Sequence, residues 1–339
     1  MLFKIFKNTP AIIAEIGVNH NGQANIARKL VKIASDCGAD AVKLQTFKAF
    51  ECAGAYSETA SYQKGECQNQ LDLLKSLELS FPDTADLKEY AESLGLTFLS
   101  TPDGLMSLDF LCDIGTKIIK VASGELTNIP FLYAIGNKKR PVILSTGMGT
   151  LEEIEKAVAA LKDSGAPETL LLHCTTAYPT PPDEANLRAI NTIKNTFNLQ
   201  TGFSDHTLGN EASVAALALG AKVFEKHITL DKNMPGPDHH ASLEPEEFKS
   251  YVAAIRKTAI MLGDGIKKPT RSELLNIPYV RRSIVASKDL KAGEIISGKS
   301  VEIKRPATGI QPSDLQNVFG KKLKVDVAQD EPITWEKLE

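Results

Sequence analysis

From residue 11 onward, short apolar runs alternate with longer amphipathic stretches, the pattern of βα units around a parallel sheet. Eight runs read as strands: AIIAEI from Ala11, AVKLQTF from Ala41, TFLST from Thr97, KIIKVAS from Lys117, PVILSTG from Pro141, TLLLHCT from Thr169, TGFSD from Thr201 and KVFEKHIT from Lys222. Between them, segments such as NIARKLVKIASDCG and TLEEIEKAVAALKDSG carry apolar residues three and four apart, as one face of a helix requires. Gly38, Gly95, Gly115, Gly136, Gly165 and Gly220 stand where helices preceding a strand should end, in the left-handed position that follows a helix C-terminus. A final helix, Pro245 to Leu262, completes eight βα pairs over residues 11–262, matching the usual ~250 residues of a (β/α)8 barrel.

A second regularity separates a closed barrel from an open doubly wound sheet. Polar and ionisable residues collect at the C-terminal halves of nearly all the strands: Glu15, Lys43 with Gln45, Ser100 with Thr101, Lys120 with Ser123 and Glu125, Ser145 with Thr146, His173 with Thr175, Asp205 with His206, and Glu225 with His227. Contributions from every strand converge on one mouth only if the sheet closes. After Leu262 the pattern changes. Residues 263–280 read as a linker, and from Arg281 short strand-like pieces (SIVAS, VEIKRP) sit between turns, as in a compact β-rich module spanning residues 281–339.

The length of 339 residues fits this unequal division, since one core seldom organises so long a chain. With 39 basic against 42 acidic residues the net charge is −3, which excludes the broad positive field of a nonspecific nucleic-acid binder. Any anionic ligand must therefore meet a local cluster of cations. Cys37, Cys52, Cys67, Cys112 and Cys174 are odd in number and lack CxxC spacing, so a reducing cytoplasm is expected. The N-terminal MLFKIFKNTP lacks the apolar core of a signal peptide, and no apolar run reaches membrane-spanning length.

Lys43 and Lys120 lie inside strand-like runs, where a buried ammonium requires an anion. Glu15, Glu125 or Glu225 would serve in a structural ion pair; alternatively a bound phosphate or carboxylate would serve, with Thr101, Ser123 and Ser145 adding hydroxyl donors. His206 and His227 stand at adjacent strand ends, so they are either satisfied core histidines or two ligands of a catalytic divalent ion with positions open to water and substrate. His239 and His240 follow GPD in a loop and are expected to be solvated. His20 bonds either backbone or substrate, and His173 and Cys174 face opposite ways, which argues against a Cys/His nucleophilic pair. Neither GxGxxG nor GxxxxGK[ST] occurs, which disfavours NAD and ATP.

Taken together, EIGVNHNG from Glu15, VKLQTF from Val42, STPD from Ser100, KVASGE from Lys120, LSTGM from Leu144, HCTTAYPTP from His173, GFSDHT from Gly202, EKHITLDKNMPGPDHHASLEP from Glu225 and IKRPATG from Ile303 strongly resemble the sialic acid synthase family. The resemblance implies a (β/α)8 barrel followed by a small domain like type III antifreeze protein (SAF). It also implies a domain-swapped homodimer and a divalent ion, manganese or magnesium. The implied reaction condenses phosphoenolpyruvate with an N-acyl hexosamine. N-acetylmannosamine giving N-acetylneuraminate is the leading acceptor, and a 2,4-diacetamido-2,4,6-trideoxymannose giving legionaminate is the alternative, favoured by the SYQ segment at Ser61–Gln63 and the GPDHHASLEP loop. A Schiff-base aldolase using Lys43 or Lys120 and a non-catalytic carbohydrate-binding protein are the competing readings.

By the same resemblance, Lys43, Thr101, Lys120, Ser123 and Ser145 hold phosphoenolpyruvate, and His206 and His227 hold the metal. Gln45, Tyr178 and Asp238 face the sugar, with Arg305 reaching its N-acyl group from the partner's small domain. Glu15 and Glu125 are candidates for proton transfer or sugar-hydroxyl contacts. Thr176 stands where some members carry Asn, which leaves its phosphate contact open.

Overall fold

The computed structural model describes Phe6 and residues 9–54, 56–57 and 69–339. The SYQ segment at Ser61–Gln63 and Cys67 lie outside the described residues. Two compact units divide the chain, Met1–Gly263 and Asp264–Glu339.

In the first unit eight parallel strands close into a barrel in sequence order: β1 (Ala11–Gly17), β2 (Ala41–Thr46), β3 (Thr97–Pro102), β4 (Ile119–Val121), β5 (Val142–Ser145), β6 (Thr169–His173), β7 (Thr201–Asp205) and β8 (Val223–His227), with β8 pairing back onto β1. The helices that follow them are α1 (Ala24–Asp36), α2 (Phe81–Ser93), α3 (Leu105–Asp113), α4 (Ile129–Asn137), α5 (Leu151–Asp163), α6 (Ala189–Phe197), α7 (Glu211–Ala218) and α8 (Pro245–Leu262). The period-two alternation of the strands explains both faces. Outward residues such as Phe98, Phe203 and Phe224 pack against Leu30, Leu87, Phe248 and Tyr251 of the helices. Inward residues Ala11, Ile13, Ala41, Leu99, Ile118, Ile143, Leu170, Leu172 and Val223 fill the lower barrel with Phe6. One step further along six of the strands the inward position turns polar: Glu15, Lys43, Thr101, Lys120, Ser145 and Glu225.

Five of the six expected helix-ending glycines, Gly38, Gly95, Gly115, Gly165 and Gly220, have the left-handed φ that the reading requires. Gly136 does not. It lies inside α4, and Lys139, at φ 54°, takes the left-handed position past that helix. A Cβ on Gly136 would sit 1.9 Å from Ser164 Oγ and 2.7 Å from the Leu161 carbonyl, so the glycine serves the close crossing of α4 and α5.

In the second unit, the segment expected as a linker carries α9 (Arg271–Val280), started by a reciprocal Thr270–Glu273 capping box. β9 (Ser283–Ala286) and β10 (Val301–Lys304) then form an antiparallel pair over a small core that includes Ile284, Leu290, Ile310, Val318, Leu323 and Ile333. Cys37, Cys52, Cys112 and Cys174 are free thiols. Among the described residues no helix is long and apolar enough to cross a membrane.

Candidate active site at the barrel mouth

The C-terminal ends of the strands enclose a cavity of about 600 Å³ whose lining includes Glu15, Lys43, Gln45, Thr101, Lys120, Ser123, Ser145, Thr176, Tyr178, His206 and His227. Register sets this convergence. Glu15 of β1 is paired in register with both Lys43 of β2 and His227 of β8, and Gln45 of β2 with Thr101 of β3.

Both lysines are almost wholly buried. Lys43 Nζ lies 2.9 Å from Glu15 Oε2 and 3.9 Å from Glu225 Oε2, and donates to Thr101 Oγ1 at 3.2 Å. Burial works against its ammonium, but Glu15 and Glu225 outweigh that and hold the group above the ordinary lysine range. Lys120 Nζ donates to Ser145 Oγ at 2.7 Å and to the Val121 carbonyl at 3.1 Å, with Glu225 Oε1 3.8 Å away. Burial, with Lys43 nearby, leaves Lys120 below the ordinary range in spite of Glu225. An anion in the cavity would offset that deficit.

The two carboxylates differ. Burial pushes Glu15 up to about 8, against the pull of Lys43 and with Glu225 adding repulsion. Glu225 is buried too, yet Lys120, Lys43 and the Ser204 hydroxyl, which donates to Oε1 at 2.9 Å, bring it below the usual carboxylate value. Separation of this kind distinguishes a proton-holding group from a permanent anion.

The imidazoles of His206 and His227 stand 5.5 Å apart, centroid to centroid, with the Tyr178 ring 4.2 Å from the first and 5.7 Å from the second. His206 Nδ1 donates to the Thr175 carbonyl at 2.7 Å, an arrangement that leaves Nε2 with its lone pair. His227 Nδ1 is buried without a hydrogen-bond partner, and Asp238 Oδ2 stands 4.0 Å from it. Burial lowers both histidines, so both rings are neutral, the form in which imidazole ligates a metal. The pair fits a divalent ion. Among the described residues no group of three His, Cys, Asp or Glu side chains could hold one, so the remaining positions would fall to water or substrate.

The loop after β5 brings hydroxyls together at the same mouth. Gly147 N donates to Ser123 Oγ at 3.0 Å, and Ser123 Oγ lies 3.2 Å from Cys174 Sγ. A Cβ on Gly147 would lie 2.5 Å from Thr176 Oγ1 and 2.8 Å from Ser123 Oγ, so only glycine leaves these hydroxyls in place.

Three expected site residues remain, Asp238, Glu125 and Arg305. Asp238 is buried beside His227, and burial raises its carboxyl to about 6. Glu125 lines an adjoining cavity of about 450 Å³ with Glu51, Asp103 and Asn128, whose Nδ2 donates to Glu125 Oε2 at 2.6 Å. Arg305 belongs to the second unit. His239, expected to be solvated, is buried instead; its ring bonds Thr229 Oγ1 at 2.7 Å and Asn21 Oδ1 at 3.1 Å, which fixes the loop after β8. His20 Nδ1 accepts from Gly22 N at 3.1 Å, while its Nε2 is buried without a hydrogen-bond partner among the described residues. Glu225 and Ser204 complete the site beyond the residues singled out for substrate or metal. Their signal was the inward parity of a charge in V-F-E-K-H and of a hydroxyl in T-G-F-S-D.

Fold and mouth together define a (β/α)8 enzyme whose chemistry lies among buried lysines, carboxylates and imidazoles at one end of the barrel. Residues 30–267 match the NeuB family and residues 281–339 match the SAF domain. The chain is 48% identical to an N,N'-diacetyllegionaminic acid synthase of Campylobacter jejuni, over 95% of this chain and 98% of that one. It is 45% identical to an N,N'-diacetyllegionaminic acid synthase of Legionella pneumophila, over 97% and 94%. Among solved structures, the N-acetylneuraminic acid synthetase of Leptospira borgpetersenii is 35% identical and superposes with a TM-score of 0.71, over 80% of this chain and 90% of that one. The chain belongs to the NeuB family, and it is a phosphoenolpyruvate-dependent transferase of the sialic acid synthase type acting on a sugar.

Proposed function

We propose that the protein condenses phosphoenolpyruvate with 2,4-diacetamido-2,4,6-trideoxymannose, releasing phosphate and forming N,N'-diacetyllegionaminate. The observation that carries the phosphoenolpyruvate half is the pair of buried lysines facing a wall of hydroxyls. The acceptor half rests on similarity, 48% and 45% to legionaminic acid synthases against 35% to the N-acetylneuraminic acid synthetase. N-acetylmannosamine, the acceptor favoured by the sequence, thus becomes the second reading.

In this mechanism Lys43, Lys120 and the hydroxyls of Thr101, Ser123, Ser145 and Thr176 bind the substrate's phosphate and carboxylate. Each charge-assisted contact contributes about 1.5–3 kcal/mol. C3 of phosphoenolpyruvate bonds to the sugar aldehyde carbon, water adds to C2, and phosphate leaves by C–O cleavage from the tetrahedral intermediate. Gln45, Tyr178 and Asp238 orient the sugar. Glu15 is the group at the cavity floor that holds a proton near neutral pH, placed to pass it to the new hydroxyl. His206 and His227 would hold Mn2+ or Mg2+, an ion that supplies Lewis-acid polarisation of a carbonyl when bound. A homodimer in which Arg305 meets the N-acyl group of the sugar from the other subunit is part of the same proposal.

Phosphate release measured side by side with the two acceptors tests the assignment. A kcat/KM at least about tenfold higher for the diacetamido sugar, worth 1.4 kcal/mol of transition-state binding, is expected. Equal or higher kcat/KM with N-acetylmannosamine overturns it.

A further inference from the structure

Directly behind the two imidazoles, on the outer face of the barrel, lies a second charged cluster that touches no part of the mouth cavity. Asp205 of β7 and Lys226 of β8 are paired in register, each one residue before a histidine. Strand alternation therefore sends Ser204, His206, Glu225 and His227 inward while Asp205 and Lys226 point outward toward α7 and α8. Lys226 Nζ lies 3.2 Å from Asp205 Oδ2, and both side chains are fully buried. Asp205 Oδ2 also accepts from Ser213 Oγ of α7 at 2.7 Å, and Ser213 in turn bonds Tyr251 of α8 at 2.8 Å. Oδ1 accepts from Thr207 N at 2.9 Å and Thr207 Oγ1 at 2.7 Å, and Lys226 Nζ donates to the Thr207 carbonyl.

A buried ion pair is a poor device for stability, because desolvation commonly offsets its attraction and a well-packed apolar pair does as well or better. What this pair does supply is geometry. Its bonds run along β7 into Thr207, across to β8, and out to both helices, so the backbone on each side of His206 is held and β8 is tied to β7 at the residue before His227. Fixing ligand orientation governs metal affinity, and here the fixing runs through the backbone that flanks His206 and precedes His227 rather than through a bond to either ring. We infer that Asp205 and Lys226 are positioning residues that set the spacing of His206 and His227 for a divalent ion. This rests on the reading of those histidines as an ion-binding pair.

The experiment uses the full-length protein stripped of metal, with Mn2+ binding followed by electron paramagnetic resonance and phosphoenolpyruvate binding measured without metal. In the apolar pair Asp205→Leu/Lys226→Met, Mn2+ affinity is expected to fall about 10- to 100-fold while the affinity for phosphoenolpyruvate stays at the parent value; the melting temperature falls as well, because Thr207 N, Thr207 Oγ1 and Ser213 Oγ lose their acceptor. The imidazole nitrogen resonances of His206 and His227 should shift in the metal-free state. Asp205→Asn, which keeps volume and removes charge, serves with the same readouts if the pair fails to fold. A folded variant that binds Mn2+ like the parent, or that loses phosphoenolpyruvate in parallel, overturns the inference. If the parent itself takes up no Mn2+, the ion-binding reading falls, and the positioning role stands or falls on whether the imidazole resonances move.

Discussion

Asp103 shows how far a single carboxyl can be displaced by its surroundings. It follows the β3 end that carries Thr101 and lines the smaller cavity with Glu51 and Glu125. Burial, reinforced by Glu125 and only partly countered by Lys43 and Lys120, raises it from 3.8 to about 7. The folded chain therefore holds a proton there that the unfolded chain releases. A raised carboxyl pKa stabilises the fold only while both states are protonated or the folded state alone is, so the contribution declines from pH 3.8 upward and is gone above about 7. Asp103→Asn removes this dependence. The melting temperature of the variant should rise relative to the parent as pH increases from 4 to 8, and an offset independent of pH would contradict the account. In that cavity desolvation, with Asp103 and Glu51 adding, pushes the Cys52 thiol up to about 12, which keeps it protonated at neutral pH.

At the scale of elements, the loop between β5 and α5 shows what a missing side chain does. Because a Cβ on Gly147 would stand 2.5 Å from Thr176 Oγ1, Gly147→Ala must displace the hydroxyl wall while α5, held by its Thr150–Glu153 capping box, stays in place. The KM for phosphoenolpyruvate should increase by roughly tenfold or more, the equivalent of one lost hydrogen bond to a charged group, with the thermal transition little changed; an unaltered KM would refute the role of the wall. The strands themselves were legible from sequence because their information is local. An apolar inward residue followed two positions later by a polar one, as in Ile13–Glu15, Ala41–Lys43 and Ile143–Ser145, announces both the pleat and the mouth. What stayed hidden depends on partners distant in sequence. Gly136 reads as a helix end but answers to Ser164 on the next helix, and His239 reads as loop surface but is claimed by Asn21, 218 residues away. Glu225 was visible as a charge in a strand, yet its place between Lys43 and Lys120 required closure of the barrel.

At the scale of the whole molecule, the −3 net charge and the anionic substrate are reconciled by concentration of cations at one point. The barrel supplies Lys43 and Lys120, and none of the described residues that line the cavity is an arginine; Arg305 belongs to the SAF unit. If the SAF unit of one subunit serves the barrel of the other, two inactive chains must be able to repair each other. Lys120→Met disables a barrel and leaves its SAF unit sound, whereas Arg305→Ala does the reverse. When the two variants are unfolded, mixed in equal amounts and refolded, half of the dimers are heterodimers with one intact barrel-and-SAF combination each, so about a quarter of parental activity should return in a swapped arrangement. Chains that use their own SAF unit would bring two damaged combinations into every heterodimer and regain nothing. Phosphate release from the mixture, compared with each variant alone, therefore decides whether the active site is built within one chain or between two.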